Sequence, residues 1–397
     1  MTRPTLGVAD IIRHAGNSYV ERNRPHLAWQ HLKVLRAIKN CRTAALGGHL
    51  DRCSRCHHRA ISYNSCRNRH CPKCQTQARD RWLAARSDEL LPVEYFHVVF
   101  TLPHALSALI LQNKRILYDL LFRASAETLL EIAADPKHLG AEIGFLSILH
   151  TWGQTLQHHP HIHCVIPNGG LAPDRAQWVQ PQRRGFFLPI GVLSSVFRGK
   201  FSDGLRRLFR SHHLQFHGAL RSLSNAKPFG EFLRSLFRQE WVVYAKRPFG
   251  GAEHILHYLA RYTHRVAISD HRLLSFSDER VTFRWKDYAH GNKKRKMTLA
   301  ADEFLRRFLL HVLPNGFVRI RHFGFLANRD RRQHVSLCRH LLKAKDDSIP
   351  SPATLETTTN TSWRCPLCGG TMELVERYSS QQIANATANR NSGVDTS

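Results

Sequence analysis

His161-Ile-His-Cys-Val-Ile166, followed by Pro167-Asn-Gly-Gly170, is the stretch on which the reading of the fold turns. A short, apolar-rich run closed by proline and an Asn-Gly-Gly turn signal reads as a β-strand. Residues 143–150 are a second, mostly apolar strand candidate, joined to the first by a polar turn. Phe96-His-Val-Val-Phe-Thr-Leu102, stopped by Pro103, is a third, and Trp241-Val-Val-Tyr-Ala-Lys246 a fourth. Among these strands, residues 105–134 place Leu106, Leu109, Ile116, Leu120, Leu121, Leu129 and Leu130 at helical spacing. Further helices are expected around 190–210, 229–239, 253–263 and 302–313. Short strands are expected within 266–290, for example Val281-Thr-Phe-Arg-Trp285, and 317–327 reads as irregular or extended. Mixed strands and helices of these lengths predict an α+β fold, with the long helix packed on a mainly antiparallel sheet.

Outward from this centre the character of the chain changes. Residues 8–40 read mostly as helix, broken near Asn23–Pro25. A cysteine- and histidine-rich segment follows at 41–76, and a helix begins near Thr76 and runs through Trp82 and Leu83. After about Asp347 the composition turns to Ser, Thr, Asn and Pro, as in a linker, interrupted by Cys365-Pro-Leu-Cys368-Gly-Gly. The expected organisation is a helical, cysteine-bearing domain over 1–90, a mixed strand-and-helix domain over 91–340 and a flexible tail over 341–397.

The charge narrows the class. Lys and Arg number 58 against 30 Asp and Glu, a formal net charge of +28 over 397 residues. The cations recur along the chain, at Arg183–Arg184, Arg198–Lys200, Arg206–Arg210, Lys293–Lys296 and Arg329–Arg332. Such a field attracts polyanions, and nucleic acid is the expected partner. Met1 to Gly16 lacks the apolar core of a secretory signal, and no run approaches the length of a membrane span. A cytoplasmic protein with no membrane partner is the expectation.

Six of the ten cysteines form three Cys-x-x-Cys pairs. Cys53-Ser-Arg-Cys56 and Cys71-Pro-Lys-Cys74 are expected to complete one tetrahedron, because four thiolates suit a closed, structural Zn²⁺ site. Cys41, His57, Cys66 and His70 lie close enough in sequence to allow an exchanged ligand or a second site. The distal pair, Cys365 and Cys368, is half a ribbon, with Cys338 and a histidine as candidate partners. Arg67, Arg69 and Lys73 surround the proximal ligands and are candidate DNA contacts.

His161 and His163 stand two apart on the strand, so both imidazoles face the same side. That is a metal-ligand arrangement, although a chain with 27 histidines also produces His-x-His by chance. Candidate third ligands are Gln154, His159, Glu253 and His254. Tyr258-Leu-Ala-Arg-Tyr262 sets two tyrosines four apart on one helix face, each followed three residues later by an arginine, Arg261 and Arg265. A phenol near pKa 10 is a poor nucleophile until positive charge or a base activates it. No Walker-type glycine loop is seen, and no nucleotide cofactor is expected.

Three stretches together resemble one family: Tyr63-Asn-Ser-Cys-Arg-Asn-Arg-His-Cys-Pro-Lys-Cys74, His159-Pro-His-Ile-His-Cys164 and Tyr258-Leu-Ala-Arg-Tyr262-Thr-His-Arg265. Phe304-Leu-Arg-Arg-Phe308 through His311-Val-Leu-Pro314 and Arg321-His-Phe-Gly324 extend the likeness over most of residues 20–330. The chain resembles the rolling-circle transposases of the HUH superfamily, of the insertion sequence ninety-one, two-tyrosine type, with an N-terminal transposase zinc-binding domain. The resemblance implies an HUH-type nuclease domain, Mg²⁺ or Mn²⁺ at His161 and His163, and Tyr258 and Tyr262 as nucleophiles. It also implies cleavage and strand transfer of single-stranded DNA at transposon ends and target sites through a 5′-phosphotyrosine. The same chemistry in a plasmid replication initiator or relaxase is the first alternative. A zinc-dependent DNA-binding regulator without catalysis is the second.

Overall fold

The computed structural model describes residues 6–87, 89–182, 188–246, 266–288, 290–343 and 364–391. In chain order the first elements are α1 (Val8–Asn23), α2 (Trp29–Lys39), β1 (Gly48–Cys53), β2 (Arg59–Tyr63), α3 (Pro72–Ser87), β3 (Tyr95–Thr101), α4 (Ser107–Gln112) and α5 (Lys114–Ala134). Then come β4 (Gly144–Trp152), β5 (His158–Pro167), β6 (Gly170–Leu171), β7 (Trp178–Val179), α6 (Ile190–Arg210), α7 (Ala226–Phe237) and β8 (Val243–Lys246). The rest are β9 (Leu273–Ser277), β10 (Arg280–Asp287), β11 (Lys293–Ala300), α8 (Ala301–Leu310), β12 (Ile320–Gly324), α9 (Arg331–Lys343), β13 (Met372–Tyr378) and α10 (Ser380–Asn391). The fold is α+β, and the strand pairings among the described residues are antiparallel.

The chain forms two units, each discontinuous in sequence: residues 1–78, 265–312 and 354–397 make one, and residues 79–264 and 313–353 the other. The second is built on a five-stranded sheet ordered β12-β4-β5-β3-β8, so the strand carrying His161 and His163 lies in the middle. Its pleat decides everything that follows. Ile162, Cys164 and Ile166 of β5 point to one face, where they join Phe96, Val98, Phe100, Phe145 and Leu149 in the main core. Helix α5 covers this face with Leu117, Leu120, Leu121 and Leu129, and α6 adds Leu193, Phe197, Phe201 and Leu205. Each such side chain withdrawn from water contributes about 1.5–3 kcal/mol. The odd-numbered residues of β5 therefore have to occupy the other face.

Where the sequence suggests one helix over 105–134 there are two, and Asn113 is the reason. Its backbone leaves the helical region (φ −124°, ψ 37°). Its side chain donates to the carbonyls of Leu109 and Gln215 and accepts from the Gln215 amide. These bonds tie the break to the segment after α6. At the sheet edge β12 pairs with β4, ending at Gly324 opposite Gly144. Gly324 has φ +59°, and a Cβ there would run into the Ile143 carbonyl, so only glycine fits.

In the first unit α1 contributes Ile11, Ile12, Ala15 and Tyr19 to the interior, and α2 contributes Val34, Leu35 and Ile38. The α1 amide of Val8 donates to Asp270 Oδ1 at 3.0 Å, satisfying one of the free N–H groups at the helix start. A sheet β11-β10-β9 packs Phe283 against Phe304 of α8, ring centroids 6.2 Å apart. A second sheet, β13-β1-β2, takes its outer strand from the far end of the chain. The expectation of a flexible tail over 341–397 therefore differs from what is seen in its described part. Residues 372–378 form a strand registered along the whole of β1, from Gly48 opposite Tyr378 to Cys53 opposite Met372. A polar, charged strand such as Met-Glu-Leu-Val-Glu-Arg-Tyr is weakly specified by its own sequence and is fixed by its partner.

Candidate metal centres

The eight cysteines nearest the sheet β13-β1-β2 form two groups of four, each with its ligand atoms within 4.8 Å of one another. The first group is Cys41, Cys66, Cys71 and Cys74. Cys41 follows α2, Cys66 and Cys71 lie on the loop before α3, and Cys74 sits in the first turn of α3. Sγ of Cys41 lies 3.6 Å from those of Cys71 and Cys74, and Sγ of Cys66 lies 3.6 Å from that of Cys74. Through hydrogen bonds shared with its neighbours, Cys66 first, the Cys41 thiol is lowered to about 7. The second group is Cys53, Cys56, Cys365 and Cys368. Backbone amides of Cys56 and Arg55 point at Sγ of Cys53 and bring its thiol down to about 6, into the range of a ready metal ligand.

This corrects the expected grouping. Cys53, Cys56, Cys71 and Cys74 do not share one tetrahedron: each pair is completed by cysteines other than those nearest in the pattern. The physical reason is that Cys53 ends a strand whose edge is taken by β13, which delivers Cys365 and Cys368. Cys74 instead opens a helix packed toward Cys41 and Cys66. Cys338, a candidate partner for the distal pair, lies elsewhere, in an apolar cluster with Phe325 and Trp178, where burial pushes its thiol up to about 12. Of the candidate DNA contacts, Arg67 is exposed on the loop between Cys66 and Cys71, and Arg69 and Lys73 are half-buried. Burial lowers the Arg69 pKa.

The second kind of centre stands on the five-stranded sheet, on the face left open by the α5 core. Register sets His161 opposite His150 of β4, and His163 opposite Ile148 on one side and Val99 of β3 on the other. His150, His161 and His163 bring their ring nitrogens within 4.8 Å of one another. Ring centroids are 4.8 Å apart for His161 and His163, 4.3 Å for His150 and His163, and 5.5 Å for His150 and His161. His150 and His163 are buried and His161 is half-buried.

Two contacts set the ring orientations. His161 Nδ1 donates to the His159 carbonyl at 2.7 Å, which makes Nε2 the atom that could ligate a metal. His163 Nδ1 lies 2.7 Å from Nε2 of His97, whose ring stacks on it with planes 5° apart. With His163 donating, its own Nε2 likewise carries the lone pair. His158, of opposite parity on β5, turns into the core and bonds Tyr118 Oη at 2.9 Å.

The third member of the cluster, His150, is not among the ligands that the sequence motifs suggest. Of those, His159 supplies its carbonyl, while Glu253 and His254 fall outside the described residues. Tyr258, Arg261, Tyr262 and Arg265 fall outside them as well. The one sequence signal for His150 is its position: a histidine at the end of an apolar strand, Gly144-Phe-Leu-Ser-Ile-Leu-His150, one polar turn before His-x-His. Three imidazoles make an incomplete coordination shell, as sites that do chemistry do, whereas four thiolates make a closed one.

Residues 144–334, which carry the three histidines, match the family model described as "Putative transposase". Residues 11–102 match the model described as "Transposase zinc-binding domain". The chain is 52% identical over 379 residues to "Putative transposase y4qJ" of Sinorhizobium fredii (strain NBRC 101917 / NGR234), covering 93% of this chain and 94% of the relative. It is 28% identical over 343 residues to "Transposase for insertion sequence element IS801" of Pseudomonas savastanoi pv. phaseolicola, covering 84% and 80%. No solved structure matches. Among the described residues no helix is long and apolar enough to cross a membrane. With a transposase zinc-binding domain matched over residues 11–102, a transposase model over 144–334 and a transposase relative 52% identical over 93% of its length, the chain belongs to the IS91-type transposases with an N-terminal zinc-binding domain.

Proposed function

We propose that this transposase cuts and rejoins single-stranded DNA by tyrosine transesterification, with His150, His161 and His163 holding the catalytic divalent cation. The observation that carries the reading is the convergence of the three imidazoles on one sheet face. When bound there, the cation polarises the scissile phosphate and offsets charge developing on its oxygens. Of Mg²⁺ and Mn²⁺ the donor set favours Mn²⁺, because imidazole nitrogens suit later first-row ions and Mg²⁺ prefers oxygen. His161 and His163 are held as Nε2 donors by the His159 carbonyl and by His97.

Tyr258 and Tyr262 are the nucleophiles in this reading, with Arg261 and Arg265 favouring the phenolate. The phenolate oxygen bonds to phosphorus, the bond to the 3′-oxygen breaks, and a 3′-hydroxyl leaves. The bond energy stays in the 5′-phosphotyrosine, so the reverse attack by a 3′-hydroxyl rejoins DNA without a nucleotide cofactor. Two tyrosines allow two strand transfers, as rolling-circle transposition at element ends and a target requires. Arg67, Arg69 and Lys73, beside the zinc ligands, would contact the DNA backbone.

The test is a covalent-adduct assay with labelled single-stranded oligonucleotides tiling the element ends. We expect a protein–DNA band in Mn²⁺ that a chelator abolishes, that Tyr258→Phe or Tyr262→Phe weakens, and that the double substitution removes. Full capture by the double variant would overturn the nucleophile assignment. Binding without cleavage of any end sequence would favour a non-catalytic regulator.

A further inference from the structure

We propose that Cys53, Cys56, Cys365 and Cys368 form a second structural zinc site, separate from that at Cys41, Cys66, Cys71 and Cys74. It clasps residues as far apart as Cys53 and Cys368. Half of its ligands lie outside the stretch that matches the zinc-binding domain. The Sγ atoms of Cys53 and Cys368 are 3.5 Å apart and those of Cys56 and Cys365 are 3.6 Å apart. A Zn–S bond of about 2.3 Å sets tetrahedral edges of about 3.8 Å, close to these separations and far from the roughly 2.05 Å of a disulfide.

The two knuckles are built alike. In one, the His57 amide donates to the Cys53 carbonyl at 3.1 Å, and in the other the Gly369 amide donates to the Cys365 carbonyl at 2.9 Å. The residue after each second cysteine is left-handed, His57 at φ 58° and Gly369 at φ 71°. Backbone amides also point at sulfur in both: Arg55 and Cys56 at Cys53, and Gly370 at Cys368. Gly370 is needed as glycine, since a Cβ there would come within 2.9 Å of Sγ of Cys53. The knuckles are locked together by the Ser54 amide, which donates to the Thr371 carbonyl at 2.9 Å, and by the β1–β13 ladder. Two equivalent turns presenting four sulfurs at one end of a ladder are a zinc ribbon whose halves come from opposite ends of the chain.

Native mass spectrometry of the full chain is expected to find two zinc ions. Cys365→Ser/Cys368→Ser should keep one. Cys56 is exposed and Cys368 half-buried, so in the wild type their protection from alkylation has to come from metal. Both should resist alkylation in the loaded protein and become reactive together with Cys53 and Cys365 as chelator is added. A single zinc in the wild type, two in the double variant, or free reaction of Cys56 and Cys368 in the loaded protein would each overturn the site. Where the variant does not fold, wild-type alkylation decides alone.

A separate observation points to a DNA surface, and it rests only on DNA being the substrate, not on the tyrosine chemistry. We infer that the outer face of β10 and β11 grips the backbone of duplex DNA. Strand pairing sets Arg284 directly opposite Lys296 and Lys286 opposite Lys294, all exposed. Like charges facing each other across a ladder are unfavourable on their own, and a polyanion reverses the sign. Thr282 and Thr298 continue the same face, hydroxyls 2.8 Å apart. Asp287, which pairs with Arg295, points to the opposite side. From Thr282 to Lys286 and from Lys294 to Thr298 the described positions of this face carry only hydroxyls and cations, and the exposed Tyr288 lies just past the end of β10, so the two strands themselves offer no aromatic platform of the kind on which single strands stack.

The experiment measures affinity for a duplex and for a single strand of equal length across a salt series. Replacing Arg284, Lys286, Lys294 and Lys296 by glutamine should flatten the duplex log–log salt slope by about 0.9 for each phosphate no longer neutralised, and affect the single strand less. An unchanged duplex slope, or equal weakening for both DNAs, would overturn the assignment.

Discussion

The two kinds of centre in this protein solve opposite problems. The thiolate clusters use four soft, charged ligands on tight turns, which close the coordination shell and hold chain segments together. The histidine cluster, in the proposed reading, would offer three neutral ligands from the middle of a sheet and leave positions over for a substrate oxygen. The first kind gathers cysteines from strand, helix and loop segments distant in sequence, which a bound metal would tie together. The second is carried by β3, β4 and β5, whose backbone ladders and apolar core do not run through the imidazoles. Metal should therefore be a folding requirement in one unit and a chemical requirement in the other.

The largest effect that could break this contrast comes from stripping zinc. Structural zinc contributes roughly 10–16 kcal/mol of apparent binding free energy in small domains, as much as a whole domain's usual stability. A strong chelator should then collapse amide protection in β1, β2 and β13 while β3, β4 and β5 keep theirs, as read by hydrogen exchange. Persistent protection in β1 would show that the thiolates do not hold the fold. Next in size is His163→Ala. It should lower cleavage by at least about 10²–10³-fold, the usual cost of removing one electrostatic stabiliser of a transition state, with zinc content unchanged. Loss of zinc in that variant would erase the distinction between the centres.

A finer test concerns His97, which lies against His163, one of the proposed ligands. Its replacement by alanine should weaken Mn²⁺ binding by about 10–100-fold, measured by the paramagnetic signal of free Mn²⁺, with partial recovery in His97→Gln, which can still accept from His163. Equal Mn²⁺ affinity in wild type and His97→Ala would mean the stacked ring orients nothing. The smallest expected effect is a control on acid sensitivity. Arg306, helped by Arg307, pulls Glu303 down to about 2. A carboxylate depressed in the folded state contributes its stability fully above its unfolded value of about 4.3 and loses it as pH falls through about 2. Between about pH 7 and 5 the first unit should lose stability only as protons displace zinc. Glu303→Gln should cost at most about 1 kcal/mol and leave that pH dependence unchanged.

The legible parts of the molecule are those that repeat locally. Apolar runs bounded by turn residues mark β3, β4 and β5, helical spacing marks α5 and α6, and His161 and His163 can be placed on one face because a strand guarantees it. His150 is out of reach because it is brought in by register between strands, which no local pattern records. The expected cysteine grouping fails for a related reason: Cys53 and Cys71 are near in sequence, but the edge of β1 accepts a strand from residues 372–378. The strand β11 is easily passed over because four consecutive cations, Lys293 to Lys296, hide any alternation until β10 imposes it.

The ladder between β1 and β13 also constrains how the protein is made. Cys56 leaves the ribosome 309 residues before its partner Cys365. At roughly 5–20 residues per second, that separation is about 15–60 s of synthesis. Throughout that interval the sheet built on β1 lacks a strand and one cysteine cluster lacks half its members, while by its end the whole histidine-bearing sheet is already out. The cysteine-rich unit is thus begun before the histidine-bearing sheet and completed after it. A message cut short just before the codon for Cys365 would yield a chain with the strands of its histidine sheet all made, and with β1 lacking its outer neighbour and two of four clustered cysteines.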